Sequence, residues 1–212
     1  MKYLFRILTI AVLSSISAAT LAQQGSINLP QPKTQGGMPL MEALKNRETS
    51  RSFKSDDLPL QVLSNLLWAA NGINRSNGKH TAPSSMNYQE IDIFVALKDG
   101  IYKYNTKDNR LELAVQGDYR KQTGKQSFGG EAPVNLIYIA DFSRIPNGET
   151  PEQLNASYAN CGFIAQNVYL FCASENLGCV VRGYFDPKTL SKTLKLQPTQ
   201  KIILTQTVGY KK

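Results

Sequence analysis

The sequence predicts an α+β domain, and three observations carry that prediction. Ile91, Ile93 and Val95 alternate as a strand, and Asp99-Gly100 turns the chain into Ile101-Tyr102-Lys103-Tyr104, which makes a hairpin. Val134 to Ala140 is nearly continuous apolar sequence, the composition of a central strand covered on both faces. From Pro151 to about Leu177 runs a long helical segment that is apolar nearly all round, interrupted by Gln153, Asn160, Asn167 and Ser174 at seven-residue intervals.

The chain begins with the layout of a secretory signal peptide over residues 1–22. Lys2 and Arg6 give a positive start, Ile7 to Leu13 is apolar, and small residues at Thr20 and Ala22 precede the expected cut. That apolar run is far below the ~20 residues of a spanning helix, so no stable membrane span is expected. The expectation is a protein exported to the periplasm or secreted. Removing Lys2 and Arg6 with this segment lowers the net charge from +8 to +6. The remaining Lys and Arg are scattered rather than concentrated, which argues against a nucleic-acid partner. The charge suits small anionic molecules or simple solubility.

Residues 23–37, rich in Gln, Gly, Pro and Asn, read as a flexible leader, and residues 38–212 as one domain. Met38, Met41 and Leu44 recur at helical spacing and predict a short first helix. A second begins near Pro59, carries Leu60, Leu63, Leu67 and Ala70 on one face, and ends at Asn71-Gly72. Residues 72–88 form a polar loop. Leu111 and Leu113 extend the hairpin, Gly178 stops the long helix, Asp186-Pro187 caps a short helix bearing Leu190 and Leu194, and Ile202 to Val208 is a last strand. Cys161 and Cys172 lie 11 apart on one helix, roughly 16 Å along its axis, beyond the ~7 Å reach of a disulfide. With one histidine, His80, and no C-x-x-C pair, the spacing of a metal site is absent, and the three cysteines read as buried thiols.

Three segments carry candidate chemistry. Arg47-Glu48-Thr49-Ser50-Arg51-Ser52-Phe53 places two guanidinium groups four apart with a hydroxyl between them, a donor set that matches phosphate oxygens. Alone it also fits the basic residues common at helix C-termini. Thr81-Ala82-Pro83-Ser84-Ser85-Met86-Asn87 offers donors and acceptors to a polar heterocycle, or is an ordinary turn. Gly178 to Asp186 contains a short extended piece, Val180-Val181-Arg182-Gly183, whose backbone suits a planar ring.

In order and context these segments resemble the nitroreductase-like family of FMN-dependent oxidoreductases. Arg47, Thr49, Arg51 and Phe53 match its Arg-x-Ser-x-(Arg/Lys)-x-Phe element, with Thr for Ser. Pro83, Ser84, Ser85 and Asn87 match its Pro-Ser-Ser-x-Asn loop, and Leu177, Gly178, Gly183, Phe185 and Asp186 match its late Leu-Gly and Gly-x-Phe-Asp elements. Leu66-Leu67-Trp68-Ala69-Ala70-Asn71-Gly72 and Gly100-Ile101-Tyr102-Lys103-Tyr104 are similar to the SagB-type dehydrogenase branch, related to thiazoline oxidases.

The resemblance implies a mixed, mainly antiparallel sheet flanked by helices and a homodimer with FMN at the subunit interface. Arg47, Thr49 and Arg51 then hold the phosphate and ribityl chain. The loop Pro83, Ser84, Ser85 and Asn87 comes from the partner, Val181, Arg182 and Gly183 lie beside the ring, and Lys211 serves the phosphate. Arg182 stands where many nitroreductases have an acidic residue, and His80 where the branch tends to have Arg. No catalytic side chain is required, because the chemistry is hydride transfer at flavin N5, to or from a small organic substrate such as a nitro compound or quinone. NAD(P)H, the usual donor of nitroreductases, is scarce outside the cytoplasm and an awkward donor here. The alternatives are a non-catalytic flavin- or ligand-binding member of the fold, and an azoline-type dehydrogenase acting on a peptide.

Overall fold

The computed structural model describes residues 25–212; the expected signal peptide, and residues 23 and 24 of the expected leader, lie outside them. The elements are β1 (Ser26–Asn28), α1 (Leu40–Asn46), α2 (Leu60–Asn71), β2 (Ile91–Ala96), β3 (Gly100–Asn105), β4 (Arg110–Gln116), α3 (Phe128–Glu131), β5 (Val134–Asp141), α4 (Pro151–Ser174), β6 (Leu177–Arg182), α5 (Pro187–Leu194) and β7 (Gln200–Tyr210). The seven strands form one sheet in the order β1-β4-β3-β2-β5-β7-β6. Every neighbouring pair is antiparallel, so among the described residues the sheet is wholly antiparallel rather than mixed.

Helices cover both faces. Leu63, Leu66 and Leu67 of α2 and Ile164 and Val168 of α4 pack on Val95, Leu136 and Tyr138. On the other face Leu190 and Leu194 of α5 meet Phe94, Ile137, Ile139 and Ile202. Strand β5 sits inside the sheet between β2 and β7 and sends alternate residues into each layer, which explains its nearly continuous apolar run. Each such side chain contributes about 1.5–3 kcal/mol by leaving water.

Helix α4 starts where the sequence says it should. Pro151 occupies the first turn, and the Thr150 side chain accepts a hydrogen bond from the Gln153 amide. It ends at Ser174, three residues before the expected Leu177, because Asn176 turns left-handed at φ 54° and Leu177 already begins β6. Gly178 is therefore a strand residue rather than a helix stop.

Two further expectations are corrected. The 23–37 segment is not a free leader from Gly25 on: Ser26–Asn28 pairs with the outer edge of β4, and Leu29 is buried. The hydroxyl of Ser64 and the side-chain amide of Asn109 both donate to the Pro30 carbonyl. The anchor is backbone pairing on an open sheet edge, which apolar composition does not report. The short first helix forms as α1 but leaves Met38 before its first turn, and Leu40, Met41 and Leu44 point outward at 63, 77 and 44% exposure while Ala43 faces in.

Leu29→Ala should cost about 2 kcal/mol or more in urea denaturation, the range for truncating a buried Leu. A change under about 0.5 kcal/mol, the size of an exposed-surface effect, would return this segment to the status of a leader.

Candidate functional site

The first wall of the site is the extended segment that follows α1. Strand β6 is an edge strand, and its outward backbone groups are covered by two different partners. The Cys179 carbonyl accepts from the Ser50 amide at 3.0 Å. The Val181 amide donates to the Tyr169 hydroxyl at 3.1 Å. Phe53 then bridges Lys211, and the Lys54 amide donates to the Tyr210 carbonyl, so residues 50–54 lie along the sheet's end. Gly178 permits this approach, since a Cβ there would stand 2.8 Å from the Ser50 Cβ.

Tyr169, on α4, ties the wall together. Its hydroxyl lies 3.2 Å from Thr49 Oγ1 as well as on the Val181 amide, and the Arg47 guanidinium stacks 5.4 Å from its ring centroid. Alternate residues of extended chain share a side, which puts Arg47 and Thr49 on the Tyr169 side. Arg51 is exposed, and among the described residues neither Arg47 nor Arg51 makes an ion pair. Lys211, expected to join them, is instead paired with Glu48 at 2.8 Å, and its ammonium holds the Glu48 carboxyl below the usual range.

The loop Pro83–Asn87 is built around a different group, the buried carboxylate of Glu90. Glu90 Oε1 accepts from Ser157 Oγ at 3.0 Å and Asn160 Nδ2 at 2.8 Å, while Oε2 accepts from Ser84 Oγ at 3.1 Å. Asn160 Oδ1 in turn accepts the Ser85 amide, and Ser84 Oγ the Gln89 amide. Three left-handed residues, Met86, Asn87 and Gln89, make the loop tight and push Met86 out to 79% exposure. Sequence reasoning missed Glu90, Ser157 and Tyr169 as organisers; the regular placement of Asn160 among apolar residues was the one available signal.

Arg182 departs from expectation. Its side chain does not reach toward the wall beside Val181. It is buried, with Nη2 donating to Thr123 Oγ1 and Asn135 Oδ1, and it packs 5.7 Å from the Phe128 ring centroid. Burial pushes its pKa down to about 10, which still leaves it charged at neutral pH. Nε, Nη1 and the nearby Gln126 Oε1 have no partner. Gly124 and Gly129 make the space, as a Cβ at either would fall 2.0 or 2.5 Å from Nη1. Only the backbone of Arg182 and Gly183 stays at the sheet's edge.

The Pro83–Asn87 loop and the Arg47–Arg51 segment do not meet within the chain. Asn160 and Tyr169 are nine residues apart on α4, roughly 14 Å along the axis and about half a turn around it. Between them on the helix surface lie exposed Tyr158, Gly162, Phe163 and Gln166. Three of the four polar positions that interrupt this helix take protein partners: Asn160 bonds Glu90, Asn167 the Ala70 carbonyl, and Ser174 the Met38 amide.

An antiparallel sheet between helical layers, with a two-Arg segment laid along one edge strand, defines a class of flavin-type oxidoreductases. Residues 44–210 match the model of the nitroreductase family, and the chain belongs to that family. It is similar to a provisionally named nitroreductase of Ralstonia eutropha of known crystal structure. The two share 42% identity over 88% of this chain and 90% of that one, with a TM-score of 0.82. A provisionally named nitroreductase of Methanocaldococcus jannaschii is 29% identical over 74% of this chain and 85% of its own. The NADPH:FMN oxidoreductase of Vibrio harveyi shares the fold at 17% identity, with a TM-score of 0.62 over 81% of this chain and 68% of that one.

Glu90→Ala should destabilise the protein by about 3 kcal/mol, because it strands two buried donors, Ser157 and Asn160, and the half-buried Ser84. Tyr169→Phe should cost about 1 kcal/mol, the net worth of its hydrogen bonding. Urea titrations followed by circular dichroism check both, and equal effects would contradict the greater weight given to the buried carboxylate.

Proposed function

We propose that this chain is an exported, FMN-dependent oxidoreductase that works as a homodimer with its cofactor at the subunit interface. The observation that carries the reading is the wall in which Arg47, Thr49 and Arg51 line up beside β6, with neither guanidinium ion-paired among the described residues. Two guanidinium forks and a hydroxyl suit a phosphate, and the adjacent strand edge suits a flat ring. FMN, when bound, supplies the hydride chemistry at N5. The residues here bind and orient it: Arg47 and Arg51 on the phosphate, Thr49 on the ribityl chain, and the backbone of Val181, Arg182 and Gly183 along the ring.

The dimer is supported by the surface of α4. Pro83–Asn87 and Arg47–Arg51 flank its exposed face from opposite sides, so a second copy on Tyr158 and Phe163 brings the partner's loop toward the phosphate wall. The Glu90 network holds that loop rigid for this purpose. Within the family the SagB-type branch is favoured by Leu66–Gly72 and Gly100–Tyr104. Export is favoured by the pattern of residues 1–22, and with it a substrate that itself gives up a hydride to the flavin, with a quinone or oxygen as acceptor. Buried as it is, the Arg182 side chain has no direct role in selecting the donor.

Titration of apoprotein with FMN tests the cofactor assignment. Arg51→Ala should lose about 2 kcal/mol, roughly 30-fold in affinity, since a phosphate carrying −1.5 to −2 charge loses a charge-assisted partner. Equal affinity in the two proteins would remove Arg51 from the phosphate site. Sedimentation of Phe163→Glu should give a monomer that has also lost flavin; a wild-type monomer that keeps FMN defeats the interface.

A further inference from the structure

Residues 73–80 form a feature that the flavin reading leaves unused. Ile73 bridges His80, the Asn74 amide donates to the Lys79 carbonyl, and the Gly78 amide closes the turn on the Arg75 carbonyl. This small hairpin leans over the Pro83–Glu90 loop and encloses a cavity of about 220 Å³ lined by Arg75, Lys79, His80, Asn87, Gln89 and Glu90, among others. Arg75 is held in place from within the hairpin, Nε donating to Asn74 Oδ1 at 3.0 Å and Nη2 to the His80 carbonyl at 2.8 Å. Its Nη1 has no partner among the described residues. Lys79 makes no ion pair among the described residues. The one carboxylate in the lining, Glu90, already accepts three hydrogen bonds and is buried beneath the loop.

We propose that this cavity binds an oxyanion, a carboxylate or phosphate group, through Arg75 and Lys79, with the Asn87 side-chain amide as a further donor, its oxygen being held by Gln89 Nε2. A guanidinium held from within the hairpin beside an exposed ammonium is a donor set for such a group. Saturation of Glu90 by Ser84, Ser157 and Asn160 spreads its charge over three donors and lowers its repulsion of an incoming anion. The oxyanion has two possible sources, an acidic small-molecule substrate or the phosphate of the cofactor in the partner's site. Naming either source rests on the flavin reading; the pocket itself does not.

The test is calorimetric titration of FMN-saturated protein with benzoate and with inorganic phosphate, comparing wild type with an Arg75→Gln, Lys79→Ala double variant and with Lys79→Ala alone in case the double variant folds poorly. An acidic substrate predicts saturable binding of at least one probe, weakened fivefold or more in the variants. It also predicts that, with the bound flavin first reduced by dithionite, the rate constant for its reoxidation by 4-nitrobenzoate falls in the variants while that for nitrobenzene holds. A cofactor phosphate predicts instead that neither probe binds the FMN-saturated protein and that the variants lose affinity for FMN but not for riboflavin. If the protein takes no FMN, the flavin reading fails, and the same titration of Arg51→Ala protein, with its other phosphate donor removed, still reports the cavity. The proposal is overturned if no probe binds wild type in a manner these variants weaken and FMN affinity is also unchanged.

Discussion

A buried carboxylate with no cation paired to it among the described residues constrains this structure more than any other group. Glu90 stands at the junction of loop, strand β2 and helix α4, and its burial is tolerable only if its oxygens are hydrogen-bonded. Ser84, Ser157 and Asn160 supply that. The requirement fixes the rotation of α4 about its own axis, because Ser157 and Asn160, one turn apart, must both face the strand. It also fixes the Pro83–Asn87 loop, whose Ser84 hydroxyl is bound at one end and whose Ser85 amide is bound by Asn160. Removing any one partner leaves the others short of a bond in a low-dielectric place, where the cost is greatest.

Once α4 is rotated by that network, the rest of its surface is assigned. Val168 and Cys172 go to the core, Tyr169 goes to the edge of β6, and Tyr158, Gly162 and Phe163 are left outside. The helix thus serves as a ruler between the Pro83–Asn87 loop and the Arg47–Arg51 segment. Its length of 24 residues, far above that of an ordinary domain helix, has this consequence: the two segments are set on different turns and different faces.

Arg182 and Tyr169 exchange the roles their sequence positions suggest. Arg182 lies in the segment expected beside the cofactor, yet two glycines open a slot in which its side chain is stored, away from that edge. Tyr169 lies in mid-helix, where an aromatic reads as packing, yet its hydroxyl caps the strand amide and reaches Thr49. In both cases the deciding factor is which face of its element the residue occupies, and the sheet register sets that face. Val181 pairs with Gln206 and Arg182 with Thr205, so neighbours in sequence point to opposite layers.

The sequence by itself determined the elements: the hairpin at Asp99-Gly100, the doubly buried strand β5, the long helix from Pro151, the short helix capped at Asp186, and the three motifs that carry the family's signature. These are local, because turn chemistry, apolar period and capping are written within a few residues. Only the tertiary structure decided how they face one another. It turned the Asn160, Asn167 and Ser174 stripe inward, where backbone and carboxylate groups needed partners, and left the apolar stripe of α1 outside. It gave residues 26–29 an edge to pair with, since an open strand accepts any backbone whatever its side chains. It tied Lys211 to Glu48 across the whole length of the chain. Polarity tells how a residue would behave in water, but whether it meets water is settled by the unpaired groups that the rest of the fold brings within reach.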